Sequence, residues 1–326
     1  MKAPAAARRK LRRLIMSKMA KTELLLADPE TSAYVPETRP MTAEHVQTML
    51  DRYGMVYVKP DVGTFGRGVA RVDLIRDSDG NPDSYVYRHE DKEKRFADAD
   101  SLWNQLLQLA GGRKYLVQQG IELLRYDGRR FDIRVMMQRD VRGQWAATGM
   151  IARLAHPAKI VTNYHSGGQP IELEPLLEAN MSADQTAEYI AGLERIGHLT
   201  ASAFNRAYPG VNMLGLDIAV DSDRRPWILE VNTNPDPYIF RELKDRSVFR
   251  RVYRYALRLG RIRKRRVSGV RKRRIGVLRK RRRLGVVRKR PGRIPQRRTG
   301  DRRRAVRRSR KGRRLSQRSR RKGIGA

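Results

Sequence analysis

The charge of this chain changes character at one point, and that point limits how much of it can fold. The 326 residues carry 72 Lys and Arg against 34 Asp and Glu, a formal net charge of +38. From Arg261 to Ala326 there are 33 basic residues and one acid, Asp301, so this segment alone holds +32. Residues 1–260 hold the other 39 basic and 33 acidic residues, a net of only +6. A near-neutral stretch of that length can bury a sizeable core. The tail cannot. It repeats a loose unit (GVRKRRI from Gly269, GVLRKRRRL from Gly276, GVVRKRPGRI from Gly285) with few large apolar groups and almost no acid. Such a composition predicts disorder in isolation. It also predicts binding to nucleic acid or another polyanion through counterion release, driven by electrostatics alone because the tail has no aromatic residue to stack on bases. The bland alternative is a solvated extension without a specific partner.

Cysteine is absent, which excludes disulfides, thiol nucleophiles and cysteine-ligated metal sites. No apolar run approaches the roughly 20 residues of a membrane span, and the basic start, Met1 to Arg13, precedes too short an apolar stretch for a secretory signal. A soluble cytoplasmic protein is the expectation.

Four segments follow from pattern: a lead-in and connector over 1–40, a main domain over 41–245, a helical extension over 246–260 and the tail over 261–326. The lead-in predicts a short helix with Leu11, Leu14, Ile15 and Leu24–Leu26 as its apolar side, followed by a proline-rich extended connector over Asp28–Met41. Helices are predicted at Thr42–Tyr53, with Thr42 as cap, at Asp98–Ala110, capped by Asp100 or Ser101, and at Ser182–Tyr208, where Ser182 and Gln185 form a capping-box pair. Strands are predicted at Met55–Lys59, Val69–Ile75, Tyr115–Gln119, Phe131–Gln138, Trp145–Leu154, Met213–Val220 and Trp227–Val231. Many strands joined by tight Asp/Gly turns, with few helices between them, predict an α+β fold with largely antiparallel sheets.

Two segments carry chemistry. In VYVKPDVGTFGRGV (Val56–Val69) a strand delivers Lys59, and Gly63, Gly66 and Gly68 allow backbone N–H groups to approach phosphate oxygens. The lysine precedes the glycines, so this is not a P-loop. The segment reads either as a phosphate cradle or as a hairpin turn that happens to hold three glycines. In LGLDIAVDSDRRPWILEVNTNPDP (Leu214–Pro237) two strands joined at Asp221–Asp223 bring Asp217 near Glu230 and Asn232. Glu230 and Asn232 are two apart and face the same way. Three oxygen ligands beside a triphosphate suit Mg²⁺ or Mn²⁺; alternatively they merely terminate a hairpin. Asp221 and Asp223 read as turn residues.

In this order the segments resemble the ATP-grasp superfamily: K-P-x-x-G-x-x-G-x-G is similar to its glycine-rich loop, and Asp217 followed by Glu230-x-Asn232 to its magnesium signature. Tyr115–Ile121 resembles the strand and hinge that hold adenine, and Phe131-Asp-Ile-Arg134 a D-x-R seen in amide-forming members. A narrower resemblance is to the YheC/YheD-type, endospore coat-associated family, carried by Lys18–Lys21, Val35–Thr38, Tyr57–Gly68, Leu116–Leu123, Phe131–Val135 and Gly215–Pro235. Most of that family's usual N-terminal lobe is missing here, and the arginine tail is foreign to its pattern.

The resemblance implies two α+β lobes with nucleotide between them and Mg·ATP-dependent joining of a carboxylate to an amine or thiol through an acyl phosphate, in a protein associated with the spore coat. A non-catalytic ATP-binding or structural spore protein is the alternative. It further implies Lys59 on the α- and β-phosphates, joined by Lys18 or Lys21, with Gly63, Gly66, Arg67 and Gly68 as a lid. Gln118, Gln119, Gly120 and Ile121 would meet adenine, and Glu122 or Asp127 the ribose. Arg134 would stabilise the acyl phosphate, with Arg153 as second candidate or as a structural ion pair. Ligase-type relatives sometimes have an arginine two residues before the metal aspartate; Gly215 stands there, so that contact must come from elsewhere. The five histidines share no metal-ligand spacing; His165, in a glycine-rich loop, is the one placed to close over an acceptor.

Overall fold

The computed structural model describes residues 14–262 apart from 158, 159, 161 and 163–166. The tail from residue 263, Leu11 of the lead-in and His165 therefore lie outside the described residues. In chain order, the first half comprises α1 (Lys18–Leu26), α2 (Pro29–Ser32), β1 (Thr38–Pro40), α3 (Ala43–Tyr53), β2 (Met55–Pro60), β3 (Ala70–Arg76), β4 (Pro82–His89), β5 (Lys92–Phe96), α4 (Ala99–Ala110) and β6 (Tyr115–Gln119). The second comprises β7 (Arg125–Tyr126), β8 (Arg129–Arg139), β9 (Trp145–Leu154), β10 (Gln169–Ile171), α5 (Leu173–Glu178), α6 (Ala183–Ala207), β11 (Met213–Val220), β12 (Pro226–Asn232), a 3₁₀ turn at Tyr238–Glu242 and α7 (Arg246–Arg258).

Among the described residues every strand pairing is antiparallel, in two sheets. The first runs β1-β6-β2-β3-β4-β5, with α3 and α4 packed on one face. Val46, Met49 and Leu50 of α3, and Leu102 and Leu106 of α4, bury against Val56, Val58, Val72 and Val117. The second runs β10-β9-β8-β11-β12, with β7 beside β8. Its core joins Phe131, Ile133 and Val135 to Leu193, Ile196 and Phe204 of α6. A third cluster forms where α7 lies on β9: Val252 and Ala256 are fully buried with Phe240 and Ile151. Gly149 makes this approach possible, since a Cβ there would sit 2.8 Å from the Val252 side chain.

Capping chemistry explains the helix ends. Thr42 accepts from the His45 N–H, Ser182 and Gln185 form the expected reciprocal pair, and Gly54 ends α3 in the left-handed conformation. α4 departs from expectation: Asp98, not Asp100 or Ser101, is its cap and accepts from the Ser101 N–H. The connector also differs from an extended segment. It contains α2 and β1, and β1 adds to the sheet edge by pairing with β6. β4 and β5 escaped the pattern because β5 (KEKRF) is a charged, exposed edge strand, where lysine and glutamate discourage further pairing.

The lead-in departs in part. Ile15, Leu24 and Leu25 pack on the second core as expected, but Leu14 and Leu26 are exposed, and Lys18 and Lys21 are buried together with Leu25. The loop after β2 imposes this orientation. Asp61 Oδ1 accepts from the Ser17 hydroxyl at 2.9 Å and from the Met19 N–H at 2.8 Å, and its backbone carbonyl accepts from the Lys18 N–H at 2.9 Å. The start of α1 is thus fastened to the strand that carries Lys59. Asp61→Ala removes the acceptor of two part-buried hydrogen bonds and is expected to lower unfolding free energy by about 1–3 kcal/mol, read by urea denaturation.

Candidate functional site

A cavity of about 640 Å³ opens between the two sheets. On the first-sheet side it is lined by Lys59, Gly63, Gly66, Arg67, Gln118, Gln119 and Ile121, and on the second-sheet side by Asp132, Arg134, Arg153, Asp217, Glu230 and Asn232, with Lys18 from α1. Gly68, Gly120 and Glu122 do not line it. Gly68 packs under Tyr115, where a Cβ would lie 2.7 Å from the hydroxyl, and Gly120 backs onto Met55. Glu122 is exposed and pairs with Arg125 at 3.5 Å.

Strand register explains the second wall. Arg134, Asp217 and Glu230 are direct neighbours across β8, β11 and β12, and Asn232 stands opposite Gly215. Their side chains therefore emerge on one face of the sheet. Asp132 and Arg153 are opposite each other on β8 and β9. Arg134 Nε donates to Asp217 Oδ1 at 2.6 Å, and an Arg153 terminal nitrogen reaches the same oxygen at 3.1 Å. Arg153 also grips Asp132 through two nitrogens, Nε at 2.8 Å and the terminal Nη2. Arg153 is consequently the structurally committed arginine of the pair, whereas the hydrogen bond of Arg134 uses only Nε. Burial alone would raise the Asp217 pKa, but Arg134 and Arg153 outweigh it and hold the carboxyl below its ordinary range.

Gly215 gives Arg134 its room. A Cβ at 215 would come within 2.6 Å of Pro235 and 3.1 Å of an Arg134 terminal nitrogen. The guanidinium absent from position 215 is thus replaced in space by one from the adjoining strand.

The first wall meets this cluster through Lys59. Its Nζ donates to Gln118 Oε1 at 2.8 Å and to the Leu229 carbonyl at 3.2 Å, one residue before Glu230. Lys18 and Lys21 each lie 3.8 Å from Glu230 Oε1, and Lys18 Nζ donates to the Gly63 carbonyl at 3.0 Å. Three ammonium groups therefore surround one carboxylate. Burial lowers the Lys59 pKa to about 8, with Lys18 and Lys21 acting in the same direction against Glu230 and Asp217. Burial likewise lowers that of Lys21. Over this wall the loop holds Phe65 and Gly66 at φ of 63° and 69°, and Phe65 is the non-glycine strained there.

The hinge differs in detail from its expected role. Both ends of the Gln118 side chain are taken, Oε1 by Lys59 and Nε2 by Thr38. Gln119 exchanges hydrogen bonds with Glu37 through its backbone N–H and side-chain oxygen, and the Gly120 N–H donates to Met55. Gln118 thus positions Lys59. Pattern reading passed over Thr38 and Asp61, because both act through bonds to partners distant in sequence. The Asp in K-P-D was the one available signal.

Among the described residues no three His, Cys, Asp or Glu side chains gather as a self-contained metal cage. Asp217, Glu230 and Asn232 instead provide two carboxylates and an amide oxygen on adjoining strands, the incomplete oxygen set that Mg²⁺ takes when phosphates and waters supply the rest.

Two antiparallel sheets enclosing a cleft, with a glycine-rich loop on one side and an Asp–Glu–Asn hairpin on the other, define the ATP-grasp class, whose fold binds ATP. The chain belongs to the YheC/D-like ATP-grasp family, whose sequence model matches residues 10–261. It is similar to the endospore coat-associated protein YheD of Bacillus subtilis (strain 168), 24% identical over 225 residues, covering 67% of this chain and 48% of that protein. It is also similar to YheC of the same organism, 26% identical over 210 residues, covering 62% and 55% respectively. The chain spans about half the length of these curated relatives. Among solved structures it is similar to D-cycloserine synthetase DcsG at a TM-score of 0.46 and 15% identity, covering 76% of this chain and 71% of that one.

The burial of Lys59 gives a test with a definite sign. Between pH 8 and its ordinary 10.5, the unfolded chain holds more of this proton than the folded one, so stability from this group rises with pH through that window. Measured without ligand, wild type is expected to gain up to about 3 kcal/mol relative to Lys59→Met between neutral pH and pH 10.5. Parallel pH–stability profiles would show that Lys59 is not buried as a cation.

Proposed function

We propose that the protein is a Mg·ATP-dependent ligase that activates a carboxylate as an acyl phosphate and transfers the acyl group to an amine or thiol. The observation that carries this reading is the convergence of Lys18 and Lys59 with Asp217, Glu230 and Asn232 on one cleft, with Lys21 buried behind Glu230 and Arg134 standing beside them. Phosphoryl transfer asks chiefly for positioning and for neutralisation of spreading negative charge. Lys59, oriented by Gln118 and Thr38, would meet the α- and β-phosphates. Lys18 and Lys21, fastened through Asp61, would supply the further cation, and Gly63, Gly66 and Arg67 would lie over the triphosphate. Asp217, Glu230 and Asn232 would hold one or two Mg²⁺, which when bound neutralise phosphate charge and orient the γ-phosphoryl group.

In the first step the substrate carboxylate oxygen attacks the γ-phosphorus and ADP leaves. In the second the nucleophile attacks the acyl carbon, loses its proton and expels inorganic phosphate. Arg134 would stabilise the acyl phosphate, because Asp217 engages it only through Nε. Arg153, clamped by Asp132, would keep Asp217 ionised and in place. For adenine, the hinge backbone near Ile121 remains as the contact, since the side chains of Gln118 and Gln119 are engaged elsewhere. Association with the spore coat follows the printed names of the two relatives and is a proposal for this chain. Among the described residues no helix is long and apolar enough to cross a membrane.

Mg·ATP is expected to raise the Tm of the wild-type protein, and Lys59→Ala to abolish that shift. Glu230→Gln should weaken the Mg²⁺ dependence. With pooled amino acids, short peptides or cell-wall precursors, ADP release is expected from wild type. Arg134→Met should retain the Tm shift while release falls at least about 100-fold, the usual scale for one transition-state donor. A wild-type protein indifferent to Mg·ATP would refute the reading.

A further inference from the structure

Helix α7 carries five arginines and no acid across Arg246–Arg258. Four of them, Arg246, Arg250, Arg254 and Arg258, recur every fourth residue and are exposed. At 1.5 Å rise per residue they form a stripe about 18 Å long that winds gently over the outward side. Among the described residues none of the four forms an ion pair, while Arg71, Arg88, Arg134 and Arg153 elsewhere in the fold all do. The nearby Asp245 is engaged as the helix cap by the Ser247 N–H and hydroxyl. Arg246 donates to the Arg241 carbonyl and Arg250 feels the Asp245 carboxylate, and the row keeps an excess of positive charge that raises the local potential and is suited to a polyanion.

Aromatic rings flank the stripe. Phe249 and Tyr253 are 5.4 Å apart by ring centroid, Tyr253 and Tyr238 6.2 Å, and Tyr238 is 37% exposed. The guanidinium of Arg241 lies 5.0 Å from the Tyr238 ring. The support is rigid: Val252 and Ala256 are fully buried against β9, and Arg251 Nε donates to the Thr148 carbonyl at 2.6 Å. Because its apolar side is already covered, α7 has no face left to insert into a bilayer, which disfavours a lipid surface. Phosphate-only polymers would use the arginines but not the rings.

We propose that α7 and the Tyr238–Glu242 turn form a folded docking surface for single-stranded nucleic acid, with the arginine stripe along the phosphates and Tyr238 stacking on a base. Ile239 of the turn also reaches the cleft, but Tyr238 and the four arginines do not line it, and the proposal does not depend on the ligase reading. It adds a folded, aromatic-bearing component to the electrostatic binding expected of the tail that follows it in sequence.

The test uses the full chain and a short fluorescent oligothymidylate titrated over a range of salt. Replacing Arg246, Arg250, Arg254 and Arg258 with Gln together is expected to make the slope of log affinity against log salt shallower by about three, four phosphates at about 0.7 each. Tyr238→Ala is expected to weaken oligothymidylate binding about tenfold and to leave inorganic polyphosphate binding unchanged. An unchanged slope in the folded quadruple variant overturns the proposal. So does an equal effect of Tyr238→Ala on both polymers, or tighter binding to phosphatidylglycerol vesicles than to the oligonucleotide. If far-ultraviolet circular dichroism shows the quadruple variant unfolded, the comparison of two polymers with Tyr238→Ala decides alone.

Discussion

Lys18, Lys59, Arg134 and Arg153 line one cleft from α1, β2, β8 and β9, Lys21 is buried behind Glu230, and the carboxylates these five groups contact or feel are Asp61, Asp132, Asp217 and Glu230. Five cations against these four anions leave one positive charge in excess in a largely buried space. The arginines settle this by direct pairing, with Arg153 bound to Asp132 and Asp217 and Arg134 to Asp217. The lysines do not. They share Glu230, two of them at 3.8 Å, and Lys59 has its pKa lowered to about 8. Isolated buried charge is costly, so the ligand-free fold holds this arrangement at the expense of stability. A triphosphate brings the missing negative charge.

Much of the remaining structure serves to hold that imbalance in place. Asp61 fastens α1 against the loop after β2, and Gln118, itself held by Thr38, directs the Lys59 amine toward β12. Antiparallel register sets Arg134, Asp217 and Glu230 side by side, and Gly215 leaves the space that Arg134 fills. Each constraint links positions far apart in sequence. A local change at Asp61 or Gly215 therefore acts on the cleft through geometry, without touching the ligand.

This explains which parts were readable beforehand. Strands Tyr115–Gln119, Trp145–Leu154 and Met213–Val220 and the Ser182 capping box declare themselves by local pattern, and they occur as expected. The Lys59 strand and the Asp217–Glu230–Asn232 hairpin were legible because alternation in a strand fixes which side chains share a face. The burial of Lys18 and Lys21 was not legible: Ile15, Leu24 and Leu25 take the core as their pattern suggests, while bonds to Asp61 at the start of α1 and the Glu230 carboxylate hold the two lysines inside. The structural ion pair expected as the alternative for Arg153 occurs, and cross-strand register supplies its partner, Asp132, which sequence alone does not name. The logic of turns and caps is local, and the charge pairing of the cleft is not.

Calorimetric titration of Mg·ATP into the full chain near pH 8, in buffers of differing ionisation enthalpy, tests the charge imbalance most directly. If a triphosphate settles beside Lys59, it raises a pKa that stands at about 8 in the free protein, and binding takes up about half a proton per site. Binding that exchanges no protons at that pH would contradict the account, because the nucleotide would then lie away from the buried lysine.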